Sequence, residues 1–266
     1  MLGFDLVNRG TFHSFFWNTR TVKIRAIFLD MDHTLCDTDR ADRLGVKDFQ
    51  QILTSDFDYD AAIKIGEMYL KVIYGENRNR PGWQKKPHET ESGFRTKLLE
   101  KTIEKVLGGK IYLNNLNRYA ELFMALRIKH FSFFPNVQNM LLELKKEFKL
   151  ILVSNGPLFS QEPKIKKVAM HHYVDDIILG GAIEYEKPHP FIFELACKKA
   201  NCKPYEAIHV GDKLDSDIKG ANDYGITSVW INSGDSHIKP EPTPDYIIKN
   251  ICEFSTLLTQ ILQTSS

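Results

Sequence analysis

The sequence predicts an α/β protein whose core is a doubly wound, Rossmann-like parallel sheet with an α-helical domain inserted into it. Two observations predict this class. Short apolar runs typical of buried parallel strands alternate with helix-like segments, which indicates strands joined by crossover helices. One interval, between the first two strands, is far too long for a single crossover, and its pattern is helical throughout.

Five apolar runs are predicted as buried strands, and a weaker run as a sixth. In order, they are Lys23–Asp30, Lys149–Asn155, Asp175–Gly181, Ala207–Asp212, Thr227–Asn232 and the weaker Asp245–Asn250. Helices are predicted between and after them, where a proline or polar start precedes periodic apolar residues. These helices are Asn136–Phe148, Pro157–His172, Pro188–Asn201, Leu214–Tyr224 and Ile251–Leu262.

The long interval is interpreted as an inserted helical domain, because Ser154 lies 122 positions after Asp32. We assign residues 23–38 and 132–266 to the α/β core and residues 39–131 to the helical domain. The helices predicted in that domain are Arg40–Ser55, Tyr59–Tyr74, Gly93–Leu107 and Leu113–His130, with a basic loop between the second and third.

Composition narrows the possible partners. The 266 residues carry 35 Lys and Arg against 34 Asp and Glu, so nothing global attracts the chain to nucleic acid or to an anionic membrane. The four cysteines form no CxxC pair and no zinc-type spacing, which favours a reduced, cytoplasmic protein. No apolar run approaches the roughly 18 to 20 residues that span a bilayer.

Residues 1–22 are predicted to be an N-terminal extension outside the core. They are aromatic and mildly basic, with Asp5 as the single acid, a composition also found in mitochondrial transit peptides. Gly3, Gly10 and Asn18 interrupt any amphipathic helix, so a loosely packed extension is favoured. Mitochondrial targeting stays the alternative to a cytoplasmic location.

The carboxyl ends of the predicted strands carry the candidate functional residues, because such sheets bind ligands there. The first strand ends in Asp30-Met31-Asp32, two carboxylates that could share a site or could be solvated loop acids. The second ends in Ser154-Asn155-Gly156 at a helix start, where free N–H groups favour an anion, although a plain cap is equally compatible.

The next two strand ends add a cation and further acids. Glu186-Lys187-Pro188 follows the third strand, although an isolated lysine is usually a surface charge. The segment from Gly211 to Asp217 follows the fourth strand, and its acids could bind a hard cation or form an acidic helix start. Four weak signals at the same edge of one sheet jointly predict a site for a metal and a phosphate.

The motifs DMDHT, VSNG, EKP and GDKLDSD together resemble those of the haloacid dehalogenase superfamily, in its magnesium-dependent phosphatase branch with a helical cap after the first motif. The resemblance runs from Lys23 to the end of DYIIKN. It implies a phosphoric monoester hydrolase with Mg²⁺ as cofactor. Within that branch the chain is most similar to phosphatases that act on sialic acid 9-phosphate in sialic acid biosynthesis.

The resemblance also implies a role for each motif residue. Asp30 would attack phosphorus to form an aspartyl-phosphate, and Asp32 would act as acid and then as base. The metal would be held by Asp30, the backbone carbonyl of Asp32 and Asp212, with Asp217 outside the ligand set. The phosphate-binding residues would be Ser154, Asn155, Gly156, Lys187 and, as a buttress of the first loop, Thr34.

Substrate selection is expected from the inserted domain, since the core binds only the phosphate. A sialic acid carries a carboxylate, so a cationic residue is expected there. The candidates are Arg78, Arg80, Lys85, Lys86 and Arg95, and a solvated basic loop is the competing interpretation. Arg95 is preferred because it lies in the first turn of a predicted helix and matches an arginine of the sialic acid phosphatase pattern.

Other functions stay open at this point. One is a phosphatase for another small metabolite such as phosphoglycolate, a sugar phosphate or a nucleotide, and another is a phosphosugar mutase. Dehalogenation is disfavoured because Asp32 and Asp212 suit phosphate and metal chemistry. A non-catalytic binding protein is disfavoured because no nucleophile or metal ligand is missing. We expect a monomer or weak oligomer whose partner is a small phosphorylated metabolite.

Overall fold

The structure is a computed structural model that describes residues 23–75, 90–234 and 240–264. The chain divides into two compact units, one formed by Met1–Asp37 with Phe133–Ser266 and the other by Thr38–Ser132. Each junction lies one residue from the boundary predicted above. The predicted extension 1–22 and four of the basic candidates lie outside the described residues; these four are Arg78, Arg80, Lys85 and Lys86.

The first unit contains a six-stranded parallel sheet in the order β3-β2-β1-β4-β5-β6. The strands are β1 Ala26–Leu29, β2 Lys149–Ser154, β3 Asp176–Leu179, β4 Ala207–Gly211, β5 Thr227–Ile231 and β6 Tyr246–Ile248. The predicted doubly wound α/β fold is confirmed. Each strand is shorter than predicted, although polar residues at the ends of β1 still donate backbone hydrogen bonds to the neighbouring segment, Arg25 at 2.8 Å and Asp30 at 3.0 Å. The strand order reverses between β1 and β4, where ligands of such sheets bind.

The second unit is helical, and its helices are α1 Thr38–Leu53, α2 Tyr59–Ile73, α3 Glu91–Leu107 and α4 Leu116–His130. Asp58 and Thr90 cap α2 and α3 by accepting hydrogen bonds from the third backbone N–H that follows. The helices enclose an aromatic core in which Phe123 packs against Phe49 and Tyr69, with ring centroids 5.0 and 4.8 Å away.

A buried ion pair also joins helices of the second unit. The Arg127 guanidinium donates from Nε to Asp42 Oδ1 at 2.5 Å and from Nη2 to the Tyr74 hydroxyl at 2.9 Å. The same hydroxyl donates to Asp42 Oδ2 at 2.5 Å. Gly45 gives the arginine room, since a Cβ there would lie 2.8 Å from Arg127 Cγ. Arg127 and Asp42 therefore neutralise each other's charge within the second unit.

The remaining helices belong to the first unit and are α5 Val137–Leu144, α6 Leu158–Lys167, α7 Pro190–Ala200, α8 Lys219–Tyr224 and α9 Phe254–Thr264. Helix α7 packs Ile192 and Phe193 against Phe28 and Val153 of the sheet. None of the helices in the described ranges combines the length and apolarity needed to cross a membrane.

One predicted helix differs in its first half. The segment Leu214–Ile218 is a π-helical turn, and α8 begins only after it. The backbone N–H groups of Asp217 and Ile218 both donate to the Lys213 carbonyl, at 2.9 and 3.2 Å. This wider turn brings the Asp217 carboxylate back to the Lys213 N–H, at 3.0 Å. The departure from α-helical geometry therefore positions the Asp217 carboxylate near the carboxyl end of β4.

Candidate active site

The turn that follows β1 places Asp30 at the switch point of the sheet. The Asp30 N–H donates to the Val210 carbonyl of β4 at 3.0 Å, so the residue stays tied to the sheet after β1 has ended. The next residues turn sharply, because the N–H groups of Leu35 and Cys36 both donate to the Met31 carbonyl. His33 adopts a left-handed conformation with φ of 59° to close this turn.

Lys187 is the central cation of the site. Its Nζ donates to Asp30 Oδ1 at 2.6 Å and to Asp217 Oδ1 at 2.7 Å, and the lysine is 5% exposed. Asp30 is 7% exposed and Asp217 is 1% exposed, so solvent screens these charges poorly. The third and fourth predicted strand ends therefore meet the first around one buried ammonium group.

Asp217 is fixed from several sides. Besides Lys187, its carboxylate bonds to Nε2 of His209 on β4 at 2.9 Å and to the Lys213 N–H at 3.0 Å. Gly211 permits this approach, since a Cβ there would overlap the Asp217 carboxyl carbon. His209 was not predicted from the sequence, although a histidine inside an otherwise apolar strand could have indicated a buried polar partner.

The turn after β2 is joined to the Lys187 loop. The Asn155 side chain donates from Nδ2 to the Lys187 carbonyl and accepts from the Lys187 N–H through Oδ1, both at 2.8 Å. The Gly156 N–H donates to Glu186 Oε1 at 2.9 Å, and Gly156 has a left-handed φ of 105°. Ser154 ends β2 and is buried beside this turn.

The acids at this sheet edge form a set that fits a hard cation. Asp30, Asp212 and Asp217 each offer a carboxylate oxygen within 4.8 Å of the others. An all-oxygen, anionic donor set is the type that Mg²⁺ takes in proteins. Both carboxylate oxygens of Asp217 already have partners, Lys187 and His209 on Oδ1 and the Lys213 N–H on Oδ2. Lys187 engages only Oδ1 of Asp30, so Asp30 and Asp212 are the better ligands of the three.

The site is short of positive charge. Burial, together with the neighbouring Asp217, raises the pKa of Asp30 to about 7 despite its contact with Lys187. Burial and the same neighbour raise the pKa of Asp212 to about 6. The pKa of Asp217 is instead lowered, because Lys187 and His209 outweigh the effect of its burial. A cation bound between Asp30 and Asp212 would favour their ionised forms.

Asp32 is held from α6 by two residues that the sequence analysis missed. Lys164 Nζ donates to Asp32 Oδ1 at 2.7 Å, and Gln161 Nε2 donates to Asp32 Oδ2 at 3.0 Å. Both are buried and lie three positions apart, on one face of the helix. Two polar residues on one face of a predicted helix could have indicated a buried polar partner. That partner, Asp32, lies 129 positions before Gln161 and 132 before Lys164, so the sequence spacing does not identify it.

The structure thus brings together most of the predicted residues. The first unit contains Asp30, Asp32, Thr34, Ser154, Asn155, Gly156, Lys187, Asp212 and Asp217. Thr34 Oγ1 is buried and has no hydrogen-bond partner within the described part of the chain. Arg95 lies in the second unit, on α3, where it is half-buried and its carbonyl accepts from the Tyr69 hydroxyl at 3.0 Å.

Fold and site together define a class: an α/β enzyme with buried carboxylates and a lysine at the switch point of a parallel sheet. A family model for haloacid dehalogenase-like hydrolases matches residues 24–225. The chain belongs to this family and is a hydrolase, which confirms the resemblance found in the motifs.

Known relatives agree with this assignment. The chain is 31% identical over 241 residues to the N-acylneuraminate-9-phosphatase of Homo sapiens, covering 90% of this chain and 95% of that protein. It is 29% identical over 214 residues to a glyceraldehyde 3-phosphate phosphatase of Methanothermobacter thermautotrophicus, covering 79% of this chain and 86% of that protein. The crystal structure of the YfnB protein of Bacillus subtilis, bound to magnesium, shares the fold with a TM-score of 0.66 at 16% identity, covering 89% of this chain and 99% of that one.

Proposed function

We propose that this hydrolase is a Mg²⁺-dependent phosphomonoesterase that forms an aspartyl-phosphate on Asp30 and hydrolyses N-acylneuraminate 9-phosphate to free sialic acid and phosphate. The observation that carries the proposal is the buried contact of Asp30 with Lys187, at 2.6 Å, beside Asp212 and Asp217. A carboxylate at a sheet edge with a fixed cation beside it suits attack on an anionic phosphate, whose charge must be neutralised first.

The residues of this chain divide the reaction between them. Asp30 attacks phosphorus, and the ester P–O bond breaks as Asp32 gives a proton to the leaving alkoxide. Water then attacks the phosphorus, Asp32 takes its proton, and the bond to Asp30 breaks to release phosphate. Ser154 and the Asn155 N–H bind phosphate oxygens, while Lys187 offsets their charge. Mg²⁺ held by Asp30, the Asp32 carbonyl and Asp212 would supply further positive charge to the phosphate.

The sialic acid 9-phosphate assignment rests on the relatives and on the chemistry of that substrate. The name of the human relative states that it acts on N-acylneuraminate 9-phosphate, and the similarity extends over 90% of this chain. The substrate carries a carboxylate besides its phosphate. Arg95, on α3 of the second unit, is the residue that we propose to bind this carboxylate.

A substrate panel tests the activity. Phosphate release is measured with and without Mg²⁺ on sialic acid 9-phosphate, glyceraldehyde 3-phosphate, phosphoglycolate, sugar phosphates and nucleotides. We expect Mg²⁺-dependent release, with the highest kcat/KM on sialic acid 9-phosphate. A better rate on another member of the panel would identify a different phosphatase. Isomerised product from a hexose 1-phosphate would instead indicate a mutase.

A pair of variants tests the role of Arg95. Arg95→Ala is expected to raise KM about tenfold or more for sialic acid 9-phosphate, as loss of a charged hydrogen bond does, and to leave KM for p-nitrophenyl phosphate unchanged. Lys105→Ala is the matched control, because it removes an exposed cation from the same helix. An equal effect of Arg95→Ala on both substrates would contradict the assignment.

The monomeric or weakly oligomeric state and the cytoplasmic location stay predictions. We propose both because a soluble phosphorylated metabolite is the expected substrate. Gel filtration of the full chain and imaging of a fluorescent fusion in cells would test them. A stable oligomer would contradict the proposed monomeric or weakly oligomeric state, and a mitochondrial fluorescence signal would contradict the cytoplasmic location.

A further inference from the structure

The proposed acid and base, Asp32, is held by two side chains of α6. Lys164 is 7% exposed and Gln161 is 4% exposed, and they donate to different oxygens of the Asp32 carboxylate, at 2.7 and 3.0 Å. Bringing a lysine into a protein interior costs free energy, which its contact with a carboxylate offsets. A buried lysine and a buried glutamine on one carboxylate fix its orientation through both oxygens.

Gln161 also connects Asp32 to the turn that follows β2. Its Nε2 lies 3.2 Å from Ser154 Oγ and 2.6 Å from the Asn155 carbonyl, in addition to 3.0 Å from Asp32 Oδ2. The opposite orientation of the amide would point its oxygen at a carbonyl and a carboxylate, so these neighbours specify which way it faces. One buried amide thus sets the position of Asp32 relative to the proposed phosphate-binding residues.

The chemistry of these contacts matches one step of the reaction. A lysine ammonium and an amide NH₂ are donors, and they therefore fit a carboxylate whose two oxygens both accept. The breakdown of the phosphoenzyme needs such a carboxylate, because Asp32 must then receive a proton from the attacking water.

We propose that Lys164 and Gln161 are positioning residues that hold Asp32 as the general base for hydrolysis of the aspartyl-phosphate. The inference rests on the proposed function. In this step the water oxygen bonds to phosphorus, its proton moves to Asp32, and the bond between phosphorus and Asp30 breaks. Atoms and charges balance without another reactant. Neither residue touches the substrate in this role.

Rapid-mixing kinetics with p-nitrophenyl phosphate and Mg²⁺ separate the two half-reactions. The p-nitrophenolate group leaves without protonation, so formation of the phosphoenzyme needs no acid, whereas its hydrolysis still needs Asp32. For Lys164→Met and Gln161→Leu we expect a burst of p-nitrophenolate at the wild-type rate, followed by turnover about tenfold slower or more, as loss of a positioned base predicts.

Two further variants complete the design. Lys164→Arg keeps a cationic donor and should restore most of the turnover rate, whereas Lys167→Met removes an exposed lysine of α6 and should change neither phase. Circular dichroism verifies that each variant is folded. Should Lys164→Met not fold, Lys164→Gln is measured instead, since it keeps a polar side chain of similar length.

The possible results separate the positioning role of Lys164 and Gln161 from the proposed phosphatase mechanism. Equal slowing of the burst and of turnover in both α6 variants would assign them a merely structural role and overturn the positioning. Unchanged turnover would overturn it as well. A wild-type enzyme that releases phosphate without forming any acid-stable aspartyl-phosphate after quenching would overturn the proposed mechanism, and the positioning with it.

Discussion

Each unit of the molecule buries charged side chains, but the two arrangements differ in their balance. In the second unit, Arg127 meets Asp42, and the Tyr74 hydroxyl bonds to both. In the first unit, Lys187 contacts Asp30 and Asp217, while a third carboxylate, that of Asp212, lies within 4.8 Å of the other two.

In the first unit, the crowding of carboxylates contributes to raised pKa values. The pKa of Asp30 is raised to about 7 and that of Asp212 to about 6, because burial and the neighbouring carboxylates disfavour their charged forms. A balanced buried pair ties elements of the fold together, whereas an acid cluster with too few cations keeps a negative charge. A bound cation can neutralise that charge and then attract an anionic substrate. Perturbed acids in such a cluster indicate a functional site.

The largest effect is expected for Asp30→Asn in the first unit. Loss of the nucleophile should reduce phosphate release by about a thousandfold or more. The melting temperature should stay the same or rise, because the substitution removes one of the crowded carboxylates. Activity is measured on p-nitrophenyl phosphate and unfolding by circular dichroism. Appreciable residual turnover would contradict a covalent role for Asp30.

In the second unit, breaking the ion pair should affect stability. Arg127→Met leaves Asp42 buried without its cation and should lower the free energy of unfolding by about 3 to 5 kcal/mol. Asp42→Leu combined with Arg127→Met should recover a large part of this loss, because both charges are then removed. Urea denaturation measures all three proteins. A loss below about 1 kcal/mol in the single variant would show that the pair is not energetically important.

Metal binding should stabilise the first unit. At a hundredfold excess over its Kd, Mg²⁺ should raise the free energy of unfolding by about 2.7 kcal/mol through binding to the folded state. Asp212→Asn should abolish this increase, whereas Asp215→Asn, an exposed acid of the same segment, should keep it. Thermal unfolding with Mg²⁺ and with EDTA checks the effect. Equal stabilisation of both variants would place the cation elsewhere.

The smallest effect is expected at the surface of the second unit. Lys129 and His130 contact Asp48 at 2.9 and 2.8 Å and lower its pKa. A carboxyl group with a lowered pKa contributes stability at neutral pH and loses it as pH falls through the native pKa. Asp48→Asn should therefore cost less than about 1 kcal/mol at pH 7 and nothing in acid, where both proteins carry a neutral side chain. Melting temperatures at both pH values test this, and a larger loss in acid would contradict it.

The sheet was predictable because its signals are local. Apolar runs specify buried strands, and polar residues such as Asp30 and Asn155 mark where each strand ends. The pairing of Lys164 and Gln161 with Asp32 was not predictable in this way, because their contacts join residues 129 and 132 positions apart. His209 was missed for a similar reason: its partner, Asp217, turns back toward the sheet through a π-helical turn that periodicity does not reveal.

The Asn155 side chain repeats, outside the sheet, the pattern of a peptide group. Its amide both donates to and accepts from the backbone of Lys187, as one residue of a ladder does with its neighbour. Two hydrogen bonds through this one side chain therefore join the turn after β2 to the loop after β3. A substitution in either loop that displaced its backbone would break them, so we expect changes that broaden the range of substrates to concentrate in the helical unit.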